Sequence, residues 1–253
     1  MMNETLKTIH SLRSTRTFTK KVIPDSDLQV ILEASVRAAN SGGRQSYSII
    51  VVDDETVLKK LFYGANRALV FCVDFNRIAD TAARLEHQYD TGGIMEFVTG
   101  STDAILVAQN AAIAAKSLGI DSLFTNSIHR REPSEIYELF NLPKEYCFPL
   151  IGLCLGYAAE ETSHKKGRLE RLGIIHDGRY QRLSDEELDK LIDEYDDKDK
   201  HLGFAANWKK EGFKHYLDRF FTRRLQWFQS DIRSKEDGLI TILQDVGFLN
   251  RKN

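Results

Sequence analysis

The chain has 253 residues, 42% of them hydrophobic and 28% charged, with 16 Gly and only 4 Pro. That balance excludes low-complexity disorder and supports one large domain with at most an appendage. Thirty-five Lys and Arg stand against 37 Asp and Glu, for a net charge of −2, so no whole-molecule field gathers polyanions and nucleic acid is excluded as a partner class.

In chain order, a first helix is expected ahead of Arg13. A second is predicted over Leu28 to Ala39, where Ser26 and Gln29 have capping-box spacing and Gly42-Gly43 supplies the stop. Short runs rich in β-formers, Ser48 to Val52 and Ala68 to Val73, read as strands. Thr102-Asp103 opens an Ala-rich helix to Leu118, buried on most of its circumference, with Gly119 as the residue just past its end. A shorter helix begins at Pro133 and runs to Leu139, since a proline in the first turn gives up only an N–H that has no helical partner. The longest strongly apolar run, Phe148 to Ala159, is about 12 residues where a membrane span needs about 20, and its portion from Phe148 to Leu155 reads as a third strand. Helices between the strands predict a sheet that is at least partly parallel, or mixed.

Beyond residue 183 the character changes. Asp185 to Asp199 carries nine acids and two Lys, whereas Ala206 to Lys235 carries eight Lys and Arg and three acids. Two solvated faces are the expected reading, because exposed ion pairs contribute little each. The last helix has an apolar stripe of Leu239, Ile240, Leu243 and Val246 before Gly247, which wants a partner surface. The expected organisation is a core of residues 1–183 and a C-terminal helical extension of 184–253. The start, Met1-Met2-Asn3-Glu4, lacks a basic-then-apolar layout, which predicts a cytoplasmic protein with no membrane partner. Cys72, Cys147 and Cys154 show no C-x-x-C spacing and read as core thiols. The seven His form no i,i+4 pair and no H-E-x-x-H, so no metal is expected.

Three stretches carry candidate chemistry. Arg13-Ser14-Thr15-Arg16 and Lys166-Gly167-Arg168 are basic clusters suited to a phosphate, where Arg supplies planar donors and Lys a point charge; helix-end cations and exposed loops are the plainer reading. Asn40-Ser41-Gly42-Gly43-Arg44-Gln45 joins a helix to a strand, and its small residues allow a planar ligand to approach backbone amides. No G-x-G-x-x-G, P-loop or G-x-S-x-G elbow is present, so dinucleotide-fold, NTPase and hydrolase readings lack their mechanism-bearing residues.

Taken in order, Arg13 to Thr19, Gln45 to Ile50, Val70 to Arg77, Asp103 to Gly119, and Gly152 to Tyr157 followed by Lys166 to Leu169 resemble the FMN-dependent nitroreductase family. Within it the chain is most similar to the NADPH-dependent, oxygen-insensitive nitroreductase and flavin reductase group. Trp208 and the closing Gly247-Phe248 extend the match over nearly the whole chain. The resemblance implies an α+β fold around a mixed sheet flanked by helices, and a homodimer whose C-terminal extension packs on the partner, with FMN at the subunit interface. It implies that Arg13, Ser14, Lys166 and Arg168 hold the flavin phosphate and that Arg16 lies near the N1 and C2 carbonyl edge. Asn40, Ser41 and Gln45 would contact the ribityl chain and ring, and Asn126 and Ser127 would lie along the ring where the group usually has two glycines. The implied activity is ping-pong transfer of hydride from NAD(P)H, NADPH favoured, through FMN to a small-molecule acceptor: a nitroaromatic, a quinone or free flavin. No protein side chain needs to be catalytic in the chemical step. For the 2′-phosphate of NADPH, His129, Arg130, Arg131 and the basic C-terminal segment are candidates. A flavin carrier or sensor with little turnover is the second reading, prompted by Asn126 and Ser127.

Overall fold

The computed structural model describes residues 2–89, 91–160, 165–203 and 207–249, and of 227–234 the backbone alone. The chain divides into two compact units, Met1–Glu161 with Lys235–Asn253, and Thr162–Ser234.

The first unit is built on a four-stranded sheet: β1 (Tyr47–Val52), β2 (Arg67–Asp74), β3 (Asp121–Thr125) and β4 (Cys147–Gly156), in the order β1-β2-β4-β3. Around it lie α1 (Glu4–Ser11), α2 (Asp25–Ser35), α3 (Glu55–Leu61), α4 (Asn76–Arg84), α5 (Ile94–Ser117) and α6 (Pro133–Leu139). All three ladders are antiparallel. This corrects the expected partly parallel or mixed sheet: the three strands read from the sequence pair antiparallel although helices separate them, β1 with β2 and β2 with β4, and β4 lies between β2 and β3. Among the described residues the one parallel pairing is an isolated bridge, Ser14 with Ser122.

Both faces of the sheet are covered, which explains why β2 reads as a continuous apolar run rather than an alternating one. Leu69 and Phe71 of β2 and Leu153 and Leu155 of β4 pack with Ala104, Val107, Ala108 and Ala111 of α5 and Ile31 of α2. The alternate residues Ala68, Val70 and Cys72 face a second cluster with Phe62, Phe75, Phe148 and Phe248. Small side chains on α5 let its backbone lie close to the sheet. A Cβ on Gly100 would come within 2.5 Å of Val73 Cγ1, so a residue that looks like a helix breaker is where helix and strand make their nearest approach. The helix starts at Ile94, eight residues before the expected Thr102.

The C-terminus of α5 follows the expected pattern. Gly119 has φ +75°, its N–H bonds Lys116 O at 3.0 Å and Ile120 N–H bonds Ala115 O at 2.9 Å, the paired bonds of a Schellman motif. α6 begins at Pro133 as expected. α2 departs from expectation at both ends. Pro24 caps it, with no side-chain cap bond, so Ser26 falls inside the first turn, and the helix stops at Ser35. Proline holds the boundary φ in place, and Asp25 and Asp27 complement the helix N-terminus.

In β4, Pro149 has no N–H to give a ladder, and the β2–β4 register slips between Phe71 and Cys72, passing over Leu150. β3 pairs only with Gly152 to Gly156, so this part of β4 has no neighbour strand on that side, where a proline is tolerated.

In the second unit, α7 (Asp185–Asp196) starts in a complete capping box between Ser184 and Glu187 and buries none of its residues. Its last residue, Asp196, accepts from Tyr216 N at 2.6 Å and meets His215 Nδ1 at 2.7 Å, at the start of α8 (Tyr216–Arg219). The acidic and basic blocks meet here, where Tyr195 also stacks on Tyr216 and Lys198 lies over the Trp208 ring. α9 (Gln226–Asp245) begins in this unit and from Lys235 belongs to the first. No described helix is long and apolar enough to cross a membrane.

Candidate functional site

Residues 13–18 leave α1 as an extended segment beside β3. Thr15 N–H bonds Ser122 O at 2.9 Å, and Phe18 bridges Ala158. The two-residue period of extended chain turns Thr15 inward, where it is buried, and leaves Ser14 and Arg16 exposed on the other side. Arg13 is half-buried, its Nε 3.6 Å from Asp121 Oδ1. Asp121 is itself buried and takes Lys116 Nζ at 2.9 Å and Ala158 N–H at 3.2 Å. Among the described residues the two terminal nitrogens of Arg13 have no partner, so the planar fork is available while Nε fixes its direction.

The Asn40–Gln45 loop is held by residues far away in sequence. Asp103 of α5, 2% exposed, accepts from Ser41 N–H at 2.9 Å and Ser46 N–H at 3.2 Å, one on each carboxylate oxygen. Asn40 Oδ1 accepts from Gln45 N–H at 3.2 Å, and Arg77 of α4 donates to the carbonyls of Arg44 and Gln45. Arg44 reaches Tyr89 Oη at 2.8 Å and Glu96 at 3.0 Å; the Tyr89 hydrogen bond, followed by Glu96, raises its pKa above the usual arginine value. Gly42 and Gly43 have φ of +59° and +71°, with open space where a Cβ would project. A flat ring can therefore approach the backbone there.

At the far end of β3, Asn126 precedes a short 3-10 turn, Ser127–Arg130. Ser127 donates to Leu61 O at 2.5 Å, tying this turn to the end of α3. His129 turns inward: its Nε2 bonds Leu150 O at 2.9 Å, the carbonyl passed over by the register slip, and its ring stacks on Phe148 at 5.5 Å. It is not placed to meet a phosphate, which corrects the expectation for that residue. Burial pushes the His129 pKa below the ordinary imidazole value of 6.5. The folded state thus resists protonation while the unfolded chain titrates near 6.5. Stability is held above that pH and falls as pH drops through and below it. Urea melts from pH 8 to pH 5 should show parent stability declining faster than that of His129→Phe; equal slopes would place the acid sensitivity elsewhere.

Next to that turn lies a cleft of about 300 Å³ lined by Lys59, Lys60, Tyr63, Ser127, Arg130 and Arg131. Lys59 pairs with Glu55 at 2.6 Å and Lys60 with Glu135 at 3.7 Å.

Lys166 and Arg168 belong to the second unit. There Lys166 Nζ bonds Gly203 O, and Arg168 Nη1 bonds Gly167 O at 2.8 Å and Lys166 O at 3.3 Å. The first unit contains the other eight candidates: Arg13, Ser14 and Arg16 at the start of β3, Asn126 and Ser127 beyond its end, and Asn40, Ser41 and Gln45 in the cinched loop. Sequence reading missed Asp103 and Arg77 as the groups that hold this loop. The available signal was a carboxylate at the head of an Ala-rich, buried helix face.

The three cysteines are free and buried; burial raises the Cys154 pKa to about 12, and a hydrogen bond with Cys72, followed by burial, pushes that of Cys147 up. Among the described residues no group of His, Cys, Asp and Glu could hold a metal ion.

The model of the Nitroreductase family matches residues 9–157. The chain is 34% identical over 238 residues to the FMN reductase [NAD(P)H] of Bacillus subtilis (strain 168), covering 87% of this chain and 93% of that protein. It is 28% identical over 229 residues to the oxygen-insensitive NADPH nitroreductase of Salmonella typhimurium, covering 86% of this chain and 91% of that protein. The solved structure of NfrA2 from B. megaterium superposes with a TM-score of 0.79 at 30% identity, covering 99% of this chain and all of that one.

Proposed function

The chain belongs to the nitroreductase family, and from that premise we propose that it is an FMN-dependent oxidoreductase. It takes hydride from NAD(P)H, NADPH favoured, and passes it to a nitroaromatic, a quinone or free flavin. The observation that carries this reading is the Asn40–Gln45 loop, fixed by a buried carboxylate with its glycine backbone open.

The donor set suits FMN. Arg13, Ser14, Lys166 and Arg168 would hold the phosphate; Arg13 offers a guanidinium fork whose Nε is anchored on Asp121. Asn40, Ser41 and Gln45 would hold the ribityl chain and ring, with Asn126 and Ser127 along the ring. Within the first unit, Arg13 and Ser14 lie beside the start of β3 and Asn126 and Ser127 beyond its end, with roughly 13 Å of extended chain between Ser122 and Asn126. Bound FMN supplies the two-electron chemistry at N5. Arg16 would place a fixed cation where negative charge gathers at the N1 edge, and a charge preorganised in a dry site costs no reorganisation during reaction. The protein's work is therefore position and charge, which fits a chain with no acid–base dyad among these residues.

A homodimer is part of the reading, with residues 184–253 as an extension on the partner. Its support is a line of exposed apolar side chains on α5: Ile94, Met95, Val98, Ile105 and Leu106. A reducing, cytoplasmic compartment is also part of it, supported by three free cysteines.

Flavin fluorescence titration tests the site. Arg13→Ala and Arg168→Ala should each weaken FMN binding about 10- to 150-fold, corresponding to the ~1.5 to 3 kcal/mol of a charge-assisted hydrogen bond. Unchanged affinity in both variants would place the phosphate elsewhere. Purified protein that stays colourless after FMN is added would overturn the reading, and parallel double-reciprocal lines for NADPH and acceptor are expected of donor and acceptor entering in turn.

A further inference from the structure

We propose that the cleft between the end of α3 and the turn after β3 receives the 2′-phosphate end of NADPH and so sets the preference for NADPH over NADH. This rests on the flavoenzyme reading above. Lys59 and Lys60 alone have an ordinary explanation, because both lie in the last turn of α3, where the helix dipole favours cations. Arg130 and Arg131 come from a separate element, the turn after β3, and reach the same cleft, so four positive groups line it, of which Lys59 and Lys60 are paired with Glu55 and Glu135. The Ser127 hydroxyl bonded to Leu61 O joins the two elements and holds both pairs of cations in one place.

Tyr63 adds a second observation. It is 45% exposed at the cleft, and its φ of +57° is that of a residue just past the C-cap of α3, the left-handed position that ends a helix. An exposed aromatic face beside cations suits a purine base attached to a phosphate. At about 300 Å³ the cleft is at the lower end of the roughly 300–1,000 Å³ of small-molecule sites, a size for one end of a dinucleotide. Ser127 belongs to the loop proposed to run along the flavin ring, so a nicotinamide placed at the ring would direct its adenosine end outward past this residue. A phosphate monoester carries close to two negative charges at neutral pH, which NADH lacks at this position. A long polyanion is a poorer occupant, because Glu55 and Glu135, each paired with a cleft lysine, border the same patch.

The test compares kcat/KM for NADPH and NADH in the parent, Lys60→Gln and the Arg130→Gln/Arg131→Gln double variant, each checked for its yellow flavin spectrum. The NADPH to NADH ratio should fall about tenfold or more in the double variant, the scale of one or two lost charge-assisted bonds. A ratio that stays at the parent value, including equal losses for both donors, would overturn the assignment and point to the pyrophosphate that the two share. Calorimetry on the parent protein gives a readout independent of turnover: adenosine 2′,5′-bisphosphate should bind more tightly than 5′-AMP, and the difference should vanish in the double variant. Equal binding of the two by the parent would overturn the proposal even if the protein is a flavoenzyme. Failure of the parent to bind FMN would overturn the flavoenzyme reading itself, a result seen in a different assay.

Discussion

Replacing Asp103 by Ala should lower stability by about 2 to 6 kcal/mol, because two backbone N–H groups lose their acceptor and each unsatisfied buried donor costs about 1–3 kcal/mol. Those donors belong to Ser41 and Ser46, which flank the loop on both sides and bond separate carboxylate oxygens at 2.9 and 3.2 Å. Near this chain length each kcal/mol corresponds to roughly 2–4 °C in melting temperature, so a fall on the order of 10 °C is expected in thermal denaturation. FMN affinity should fall at least about tenfold, since binding would have to order a loop that the parent holds ready. Asp103→Asn should be intermediate, keeping the shape and one acceptor but presenting an NH₂ to the second amide. An Ala variant that melts with the parent and binds FMN equally well would show that the loop is held by its own residues.

The size of this effect follows from what the loop asks of its backbone. Gly42, Gly43 and Gln45 have φ of +59°, +71° and +50°, conformations that a free chain seldom combines. The loop needs external partners for its polar groups, and it has them on two sides. α5 supplies an acceptor for the amides through Asp103, and α4 supplies a donor for the carbonyls of Arg44 and Gln45 through Arg77. A buried carboxylate is expensive to desolvate unless it is fully hydrogen-bonded. Its retention at the head of an otherwise alanine-lined face is explained by the loop and not by the helix.

Local signals were readable where the cause was local. Gly119 ends α5 because a left-handed residue is needed there, and Pro133 begins α6 because its missing N–H has no helical partner; both were expected from the residues alone. β2 was readable because it is buried on both faces and therefore apolar throughout. β3 was not, because Asp121, Ser122 and Thr125 fill it with polar groups whose partners, Arg13, Lys116 and the segment around Thr15, are supplied by tertiary structure. The helices between the strands pointed to a partly parallel sheet, but β1 and β2 pair antiparallel across the short α3, and β4, which comes later in the chain, inserts antiparallel beside β2. In the candidate site the motifs marked the loops, while Asp103 escaped notice because its bonds reach back 57 and 62 residues. His129 looked like a surface cation and is instead the group that satisfies Leu150 O, passed over by the register slip between β2 and β4.

Val98→Glu/Ile105→Glu should convert a dimer into a monomer and with it strip FMN from the protein. The two positions are seven residues apart on α5, two helical turns, so they lie on one line together with Ile94 and Met95. The opposite side of the helix, with Ala104, Val107, Ala108 and Ala111, is buried against the sheet, while Val98 and Ile105 are 50% and 52% exposed. A helix apolar on its inner and outer sides is normally buried on both. α1, which packs on α5, adds Leu6 and Ile9, both exposed, and buries no residue of its own. In a twofold interface each substitution appears twice, so four carboxylates would enter a surface built for apolar contact, and a charge buried without a partner costs several kcal/mol. A rise in dimer Kd of roughly a thousandfold or more, about 4 kcal/mol, is expected from sedimentation equilibrium. If FMN sits where two subunits meet, flavin content should fall in step with the dimer fraction across a dilution series. A variant that remains dimeric would move the interface off α5, and one that becomes monomeric while keeping its flavin would place the cofactor within a single chain.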